Sequence, residues 1–291
     1  MGALFPADGF EPVVIGPDDL LGALPAGVRR VGLGAWEGGG SEPLERAGHF
    51  TGRAVVEAVD LWKAGAIDAI VTAPGDKRAL NAAGFRVPGH TELLRDLTGT
   101  PRVAMMLASD RLRVVLATTH LALRDVPAAV TPAAIIEAAT ITRAGLHDWF
   151  GIAEPRIALC ALNPHAGDGR RFGDEDDTIL APAARAAGIA GPFSADTVFV
   201  RAMQDEFDAV IAPYHDVGMT AIKVASFGHT VNVTLGLPFP RTSPDHGTAM
   251  GIAGKGVARA DSMIAAMMEC ARIVTAVDGR GQGQRRVESV P

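Results

Sequence analysis

The sequence is poor in cysteine, in aromatic residues and in long apolar runs. Only Cys160 and Cys270 are cysteines among 291 residues, and aromatic residues make up 5% with a single tyrosine. Each cysteine lies in an apolar run, which is typical of reduced, buried thiols and excludes a disulfide framework. We therefore expect a cytoplasmic protein. No apolar stretch reaches the roughly 18 residues that a spanning helix needs, so we expect no membrane insertion.

An excess of positive charge is also missing. The chain has 27 Lys and Arg against 33 Asp and Glu, a formal charge of −6. This balance argues against a general nucleic-acid-binding surface, and any anion site must be local. Two glycine-rich stretches, residues 32–38 and 167–173, do not keep the G-x-G-x-x-G spacing between a strand and a helix. The sequence therefore predicts no Rossmann cofactor site.

Short apolar runs alternate with helical patterns, which predicts an α/β architecture. The predicted strands are residues 12–15, 66–71, 103–107, 113–117, 156–162, 209–212 and 231–235. The predicted helices are residues 43–63, 132–145, 176–187 and 261–277, and another helix is expected to begin near residue 90.

Three histidines each follow an apolar run and lie where the chain turns polar: His120, His165 and His215. Ligands of open α/β sheets collect beyond the carboxyl ends of the strands, so these imidazoles could converge on one divalent metal ion. Taken one at a time, a histidine at a strand end is more often a hydrogen-bonded structural residue than a ligand. Their recurrence in the same setting is what favours a metal site.

Anion binding has two sets of candidates. His90 and Thr91 stand at the predicted start of a helix, where Thr91 could cap free backbone N–H groups or, with His90, receive a carboxylate or phosphate. Lys223, Asn232 and Arg241 are spaced nine residues apart and flanked by apolar segments. Cations in apolar surroundings imply an acidic partner, which could be an internal salt bridge or an anionic ligand.

Two aspartates and a glycine-rich segment are further candidates for the functional site. Asp196 and Asp216 could orient a metal-bound imidazole, take a proton from a substrate hydroxyl or simply cap turns. Residues 244–258 are glycine-rich and resemble a backbone-mediated binding turn. His246 there could be a further metal ligand, although cofactor contact or structural hydrogen bonding fits its setting better.

Together these motifs resemble the 4-hydroxythreonine-4-phosphate dehydrogenase (PdxA) family of pyridoxal phosphate biosynthesis. The resemblance runs from about Ala66 to about Asp261. Its most specific pieces are residues 89–92, 118–121, 162–167, 214–216, 231–239 and 241–249. Two departures are visible: the chain begins near what resembles the family's second strand, so the first strand and its Gly/Pro-rich loop are not matched, and Val217 stands where the family commonly has Gln.

The resemblance implies a fold like the isocitrate and isopropylmalate dehydrogenases, with two α/β domains and an active-site cleft between them. We expect residues 1–83 with 252–291 to form the first domain and residues 84–251 the second. It also implies a metal on the three histidines, zinc by preference although cobalt, magnesium or manganese would serve, and a proton acceptor at Asp196 or Asp216. The implied substrate ligands are His90, Thr91, Lys223, Asn232 and Arg241, and NAD or NADP would contact His246, Gly247, Thr248 and Ala249.

The implied reaction is the NAD-dependent oxidation and decarboxylation of 4-phosphooxy-L-threonine to 3-amino-2-oxopropyl phosphate. The implied assembly is a homodimer with a shared active site, to which we expect His215 of one chain to come across the interface to His120 and His165 of the other. Three alternatives stay open: a related dehydrogenase of erythronate or threonate 4-phosphate, one of an aromatic cis-dihydrodiol carboxylate, and a homologue that binds metal and ligand without turnover.

Overall fold

The computed structural model describes residues 10–226 and 228–287. Within these residues ten strands lie at Val13–Gly16 (β1), Arg29–Gly32 (β2), Ile70–Val71 (β3), Ala104–Ala108 (β4), Arg113–Leu116 (β5), Ile157–Cys160 (β6), Ala190–Phe193 (β7), Ala209–Ala212 (β8), Val231–Leu235 (β9) and Arg241–Pro244 (β10).

Ten α-helices accompany these strands in the same residues. They are Asp18–Leu21 (α1), Pro43–Lys63 (α2), Lys77–Ala82 (α3), His90–Thr98 (α4), Val126–Ala129 (α5), Pro132–Asp148 (α6), Ala181–Ala187 (α7), Ala195–Met203 (α8), His215–Ser226 (α9) and Asp261–Val287 (α10). No helix in the described part of the chain has both the length and the apolar composition that crossing a membrane requires.

The chain divides into two compact units. The described part of Met1–Val103 joins Leu237–Val274 in unit 1, and Ala104–Gly236 joins the described part of Thr275–Pro291 in unit 2. The predicted division at residues 84 and 251 would assign α4 and β10 to the second domain, whereas both belong to unit 1. That domain division stays a prediction.

Unit 1 is built around the long helix α2, which packs on α3 and α4. Its apolar face at Val55 and Val59 joins a core with Ile70, Leu94 and Phe239. Gly48 lets α2 approach α3 closely, because a Cβ there would overlap the Ala79 carbonyl. Two parallel strand pairs belong to this unit, β1 with β2 and β3 with β10, the latter pairing Arg241 with Ile70 and Thr242 with Val71.

Unit 2 is a six-stranded sheet in the order β9-β4-β5-β8-β6-β7. β4 runs antiparallel to β9 and to β5, and the remaining pairs β5-β8, β8-β6 and β6-β7 are parallel. Helices α8 and α9 pack on β5, β6 and β8, and the core between them includes Val114, Cys160, Val210 and Ile222.

The predicted α/β class is confirmed, with corrections in detail. Of the strand predicted at residues 66–71, only β3 is formed. The turn that ends α2 continues to Ala66, whose N–H donates a hydrogen bond to the Leu61 carbonyl. Strands β2, β7 and β10 were not predicted, since their Arg, Gly, Ser and Pro residues break the apolar pattern. The helix predicted at 261–277 continues to Val287, and helix α9, which begins at His215, was not predicted.

Candidate functional site

The three histidines follow three neighbouring parallel strands of unit 2. His120 comes four residues after β5, His165 five after β6 and His215 three after β8, and β8 lies between the other two strands. Since parallel strands end at the same edge of a sheet, all three histidines lie at one edge of unit 2. The predicted placement at strand ends is confirmed.

His120 and His215 are adjacent within one chain. Their ring centroids are 5.2 Å apart and the rings are tilted by 43°. The loops that carry them are joined, because the Thr118 hydroxyl donates to the Pro213 carbonyl at 2.7 Å and Ala117 N–H to the Ala212 carbonyl at 2.9 Å. The two imidazoles are thus held by continuous hydrogen bonding between β5 and β8.

Asp216 is bonded to its neighbour. His215 Nδ1 donates to Asp216 Oδ1 at 2.8 Å, while the Asp216 side chain is 82% exposed. Because the carboxylate accepts a hydrogen bond from Nδ1–H, Nε2 of the neutral His215 ring carries the lone pair. A carboxylate on the far ring nitrogen is the usual arrangement behind a histidine that binds a metal ion.

His165 has a different neighbour, Asp196. The histidine belongs to the turn Pro164–Gly167, and its Nδ1 lies 3.5 Å from Asp196 Oδ2, both side chains being exposed. Among the described residues, no group of three His, Cys, Asp or Glu side chains is arranged to hold a metal ion. Within one chain the adjacent pair is His120 and His215. The expected grouping of His120 with His165 in one chain and His215 in the other stays a prediction.

Both candidate proton acceptors border one open depression of unit 2. Its volume is about 490 Å³, and it lies between the first turns of α8 and α9. Asp196, Asp216 and Tyr214 line it with the apolar side chains of Phe199 and Val217. Burial raises the pKa of Tyr214 above its ordinary value, so its hydroxyl stays protonated.

In unit 1, the half-buried His90 lies within electrostatic reach of the buried Arg241. The Arg241 side chain is 3% exposed, and its Nη2 donates to Thr72 Oγ1 at 2.5 Å. Burial lowers the pKa of Arg241 to about 10, and it remains a cation at neutral pH. Burial, followed by the charge of Arg241, lowers the pKa of His90 to about 4, so His90 is neutral.

The His90 ring carries a polar atom that the protein does not satisfy. Its Nε2 is buried without a hydrogen-bond partner among the residues that the structure describes, and a Cβ at Gly75 would lie 2.6 Å from that nitrogen. A buried, unsatisfied nitrogen beside a buried cation is the arrangement expected where an anionic, hydrogen-bonding ligand binds.

The remaining predicted ligands are distributed over both units. His90 begins α4 as predicted, but the predicted cap is wrong: the N-cap is Gly89, and no side chain caps the helix, because Thr91 is already its second residue. Lys223 is half-buried on α9 in unit 2. Asn232 lies on β9, and its Oδ1 is buried without a partner.

The predicted cofactor segment follows β10 in unit 1. Residues 246–259 are almost entirely exposed, with a single helical turn at Met250–Ile252. His246 Nδ1 donates to the Gly247 carbonyl at 2.9 Å, and Ala249 has a left-handed φ of 48°. The segment therefore offers backbone groups to solvent, as a binding turn would.

Sequence reasoning missed three residues that hold the histidine segments. Thr118 links the loops of His120 and His215. Asp176 and Glu175 accept hydrogen bonds from Leu162 and Asn163, which come just before His165. A threonine after a strand and acidic residues at a helix start are ordinary features. Only the contacts separate them from surface residues.

These features define an α/β enzyme whose candidate site lies at the carboxyl ends of parallel strands. Residues 37–270 match the model of the family described as pyridoxal phosphate biosynthetic protein PdxA. The chain belongs to this family, and it is an oxidoreductase.

Curated relatives and solved structures agree. A 4-hydroxythreonine-4-phosphate dehydrogenase of Geobacter metallireducens is 51% identical over 246 residues, covering 83% of this chain and 72% of that protein. A structure of that name from Klebsiella pneumoniae has a TM-score of 0.79 and 38% identity over 91% of this chain and 83% of its own. A terephthalate 1,2-cis-dihydrodiol dehydrogenase of Burkholderia xenovorans LB400 has a TM-score of 0.62 and 26% identity, covering 89% and 83%.

Proposed function

We propose that this protein oxidises 4-phosphooxy-L-threonine with NAD or NADP in pyridoxal phosphate biosynthesis. The secondary alcohol would lose a proton to the protein and a hydride to the nicotinamide. The resulting β-keto acid would then lose carbon dioxide to give 3-amino-2-oxopropyl phosphate. The observation that carries the proposal is the 51% identity to a relative named for this substrate. The family model matches residues 37–270, which include every candidate site residue.

The three histidines would hold a divalent metal ion. The adjacent imidazoles of His120 and His215 are a fitting donor pair, with Asp216 behind one of them, and His165 ends the neighbouring strand. Three neutral imidazoles suit zinc best, with cobalt, manganese or magnesium as alternatives. The ion would supply a Lewis acid that polarises the substrate hydroxyl.

The phosphate or carboxylate would be bound by the positive and hydrogen-bonding groups of the substrate set. Arg241 would form charge-assisted hydrogen bonds, and neutral His90 with Thr91 would bond the anion without adding charge. Lys223 would act as a point charge and Asn232 as an orienting amide. Support comes from two buried atoms of this set, His90 Nε2 and Asn232 Oδ1, which have no hydrogen-bond partner among the described residues.

Asp196 or Asp216 would accept the hydroxyl proton. Both border the depression of unit 2, and both are near an imidazole. The exposed segment His246, Gly247, Thr248 and Ala249 would contact the nicotinamide cofactor through its backbone. A cytoplasmic location is consistent with two free, buried cysteines.

The assembly we propose is a homodimer that shares its active sites. His120 and His215 are adjacent within one chain, and its described residues contain no group of three side chains arranged to hold a metal ion. A second copy could supply the missing imidazole, so we now propose His165 as the ligand that crosses the interface.

The test is the metal content and activity of single variants. His120→Ala, His165→Ala and His215→Ala are each expected to lose most bound metal and nearly all turnover, because two imidazoles bind weakly and leave the geometry open. His147→Ala is the matched control, since His147 is exposed and pairs with Asp148 on α6. Undiminished metal in any one of the three variants would remove that histidine from the ligand set.

A further inference from the structure

His165 lies in a turn of unusual backbone conformation. Six consecutive residues have positive φ: His165 at 53°, Ala166 at 54°, Gly167 at 83°, Asp168 at 41°, Gly169 at 64° and Arg170 at 72°. Only two of them are glycine, and left-handed backbone is disfavoured for most other residue types. A run of this kind persists only where surrounding structure imposes it, and such runs are concentrated at functional sites.

The chain entering this turn is held by a buried carboxylate. Asp176 is 1% exposed, and its two oxygens accept from consecutive amides: Oδ1 from Leu162 N–H at 2.8 Å and Oδ2 from Asn163 N–H at 2.9 Å. Hydrogen bonds to an ionised carboxylate are stronger than those between neutral groups. The backbone position two residues before His165 is therefore tied to Asp176.

Glu175 adds a second contact to the same segment. Its Oε2 accepts from Asn163 Nδ2 at 2.8 Å. The turn that contains His165 also packs closely against residues 173–176. A Cβ at Gly167 would lie 3.0 Å from the Gly173 carbonyl oxygen, and a Cβ at Gly173 would lie 2.5 Å from Glu175 Oε2. Residues 162–168 and 173–176 are thus hydrogen-bonded to each other and closely packed.

We infer that Asp176, assisted by Glu175, is a positioning residue that fixes the left-handed turn and so the place of the His165 imidazole. Its carboxylate is used by backbone amides and lies 1% exposed, which suits support of a ligand better than contact with substrate. The inference rests on the proposed function, because it gives His165 the role of a metal ligand. Asp176 also begins a single π-helical turn, Asp176–Leu180, a feature frequent near functional sites.

Asp176→Asn is the informative change in the full chain. Its amide NH2 would face a backbone N–H where the carboxylate offered an oxygen, so one of the two amides would lose its acceptor. Titration with Co²⁺ is expected to show an affinity lower by roughly ten- to hundredfold, as for other groups that orient metal ligands. Glu175→Gln should lower it less. Asp177→Asn, the neighbouring exposed carboxylate paired with Arg170, is the control and should change nothing.

A double variant separates positioning from general support of the fold. In a His165→Ala background, Asp176→Asn should cause no further loss of Co²⁺ affinity, because it acts through the missing imidazole. An equal additional loss would overturn the inference, and so would an Asp176→Asn affinity equal to that of Asp177→Asn. If Asp176→Asn does not fold, Glu175→Gln takes its place in the same cycle.

Hydrogen exchange in the metal-free protein gives an independent readout. Amides of residues 162–168 should exchange at least about tenfold faster in Asp176→Asn than in Asp177→Asn, while the strand amides of β8 stay protected. Unchanged exchange would also overturn the inference. If His165→Ala alone leaves Co²⁺ affinity intact, the proposed ligand set fails instead, and exchange still decides whether Asp176 holds the turn.

Discussion

Burial distinguishes His90 from the other candidate histidines. His120 and His165 are exposed, and His215 and His246 are hydrogen-bonded through Nδ1. The His90 ring lies against Gly75 and near the Arg241 cation, and its pKa is about 4. At neutral pH it is therefore an uncharged donor and acceptor. This leaves Arg241 to supply the positive charge for an anionic ligand in unit 1.

The low pKa of His90 makes stability depend on pH in a defined direction. An unfolded histidine titrates near 6.5 and the folded one near 4, so the unfolded state binds the proton more readily. The contribution of His90 is fully present above pH 6.5 and is lost as pH falls toward 4, by up to about 3 kcal/mol. Denaturant unfolding of the protein and of His90→Gln should differ in slope over this window. Parallel pH profiles would contradict the assignment.

Arg241 and Lys223 are expected to affect one substrate selectively. Arg241→Ala and Lys223→Ala should raise KM for 4-phosphooxy-L-threonine roughly ten- to hundredfold, since one charge-assisted contact is worth about 1.5–3 kcal/mol. KM for NAD should change little. Arg78→Ala is the control in unit 1, because Arg78 is exposed and pairs with Asp76. Equal weakening for both substrates would indicate structural damage.

The predictability of single residues depended on how unusual each residue was in its place. Imidazoles after apolar strands are rare, so His120, His165 and His215 could be identified as candidate ligands from the sequence. Asp176 could not, because an acidic residue at the start of a helical pattern is typical of a solvent-facing surface. The pairing of His120 with His215 also required the strand order, which no local pattern contains.

At the scale of elements, long periodic segments were predicted well and short polar ones poorly. Helix α2 begins and ends at the predicted residues, and α6 differs only by three residues at its end. Strand β10 was missed because Arg241, Thr242 and Ser243 are polar yet buried. Such a strand becomes buried through tertiary contacts, which periodicity does not report.

Helix α9 depends on a close approach that only glycine permits. A Cβ at Gly218 would lie 2.8 Å from Leu116 Cδ2 and 2.9 Å from Ala212 Cβ, on the strands that precede His120 and His215. Gly218→Ala should therefore destabilise the protein by about 1–3 kcal/mol through overpacking and also weaken metal binding.

Gly22→Ala is the matched control for this prediction. Gly22 has helical backbone angles and nothing within 4 Å of its added Cβ. Gly22→Ala should leave the free energy of unfolding unchanged or raise it slightly, when both variants are measured by urea titration. Equal unfolding free energies for the two variants would show that α9 can move away from the sheet at no cost.

At the scale of the whole molecule, shared sites can be tested by complementation. If His120 and His215 come from one chain and His165 from the other, a heterodimer of His120→Ala and His165→Ala chains contains one doubly damaged and one intact site. Up to about half the activity should return on refolding these variants together. His120→Ala with His215→Ala should give no recovery, because each site then lacks one ligand. Recovery in that second pair alone would show that His215 is the ligand that crosses the interface, as the sequence predicts.

The central claim is that this chain oxidises a phosphorylated hydroxy acid at a three-histidine metal site. Formation of reduced nicotinamide should be followed for the metal-loaded protein with 4-phosphooxy-L-threonine, with unphosphorylated 4-hydroxy-L-threonine and with an aromatic cis-dihydrodiol carboxylate. The account predicts turnover that requires the phosphate and disappears in His165→Ala. Faster reduction with the cis-dihydrodiol, or none with the phosphorylated substrate, would contradict it.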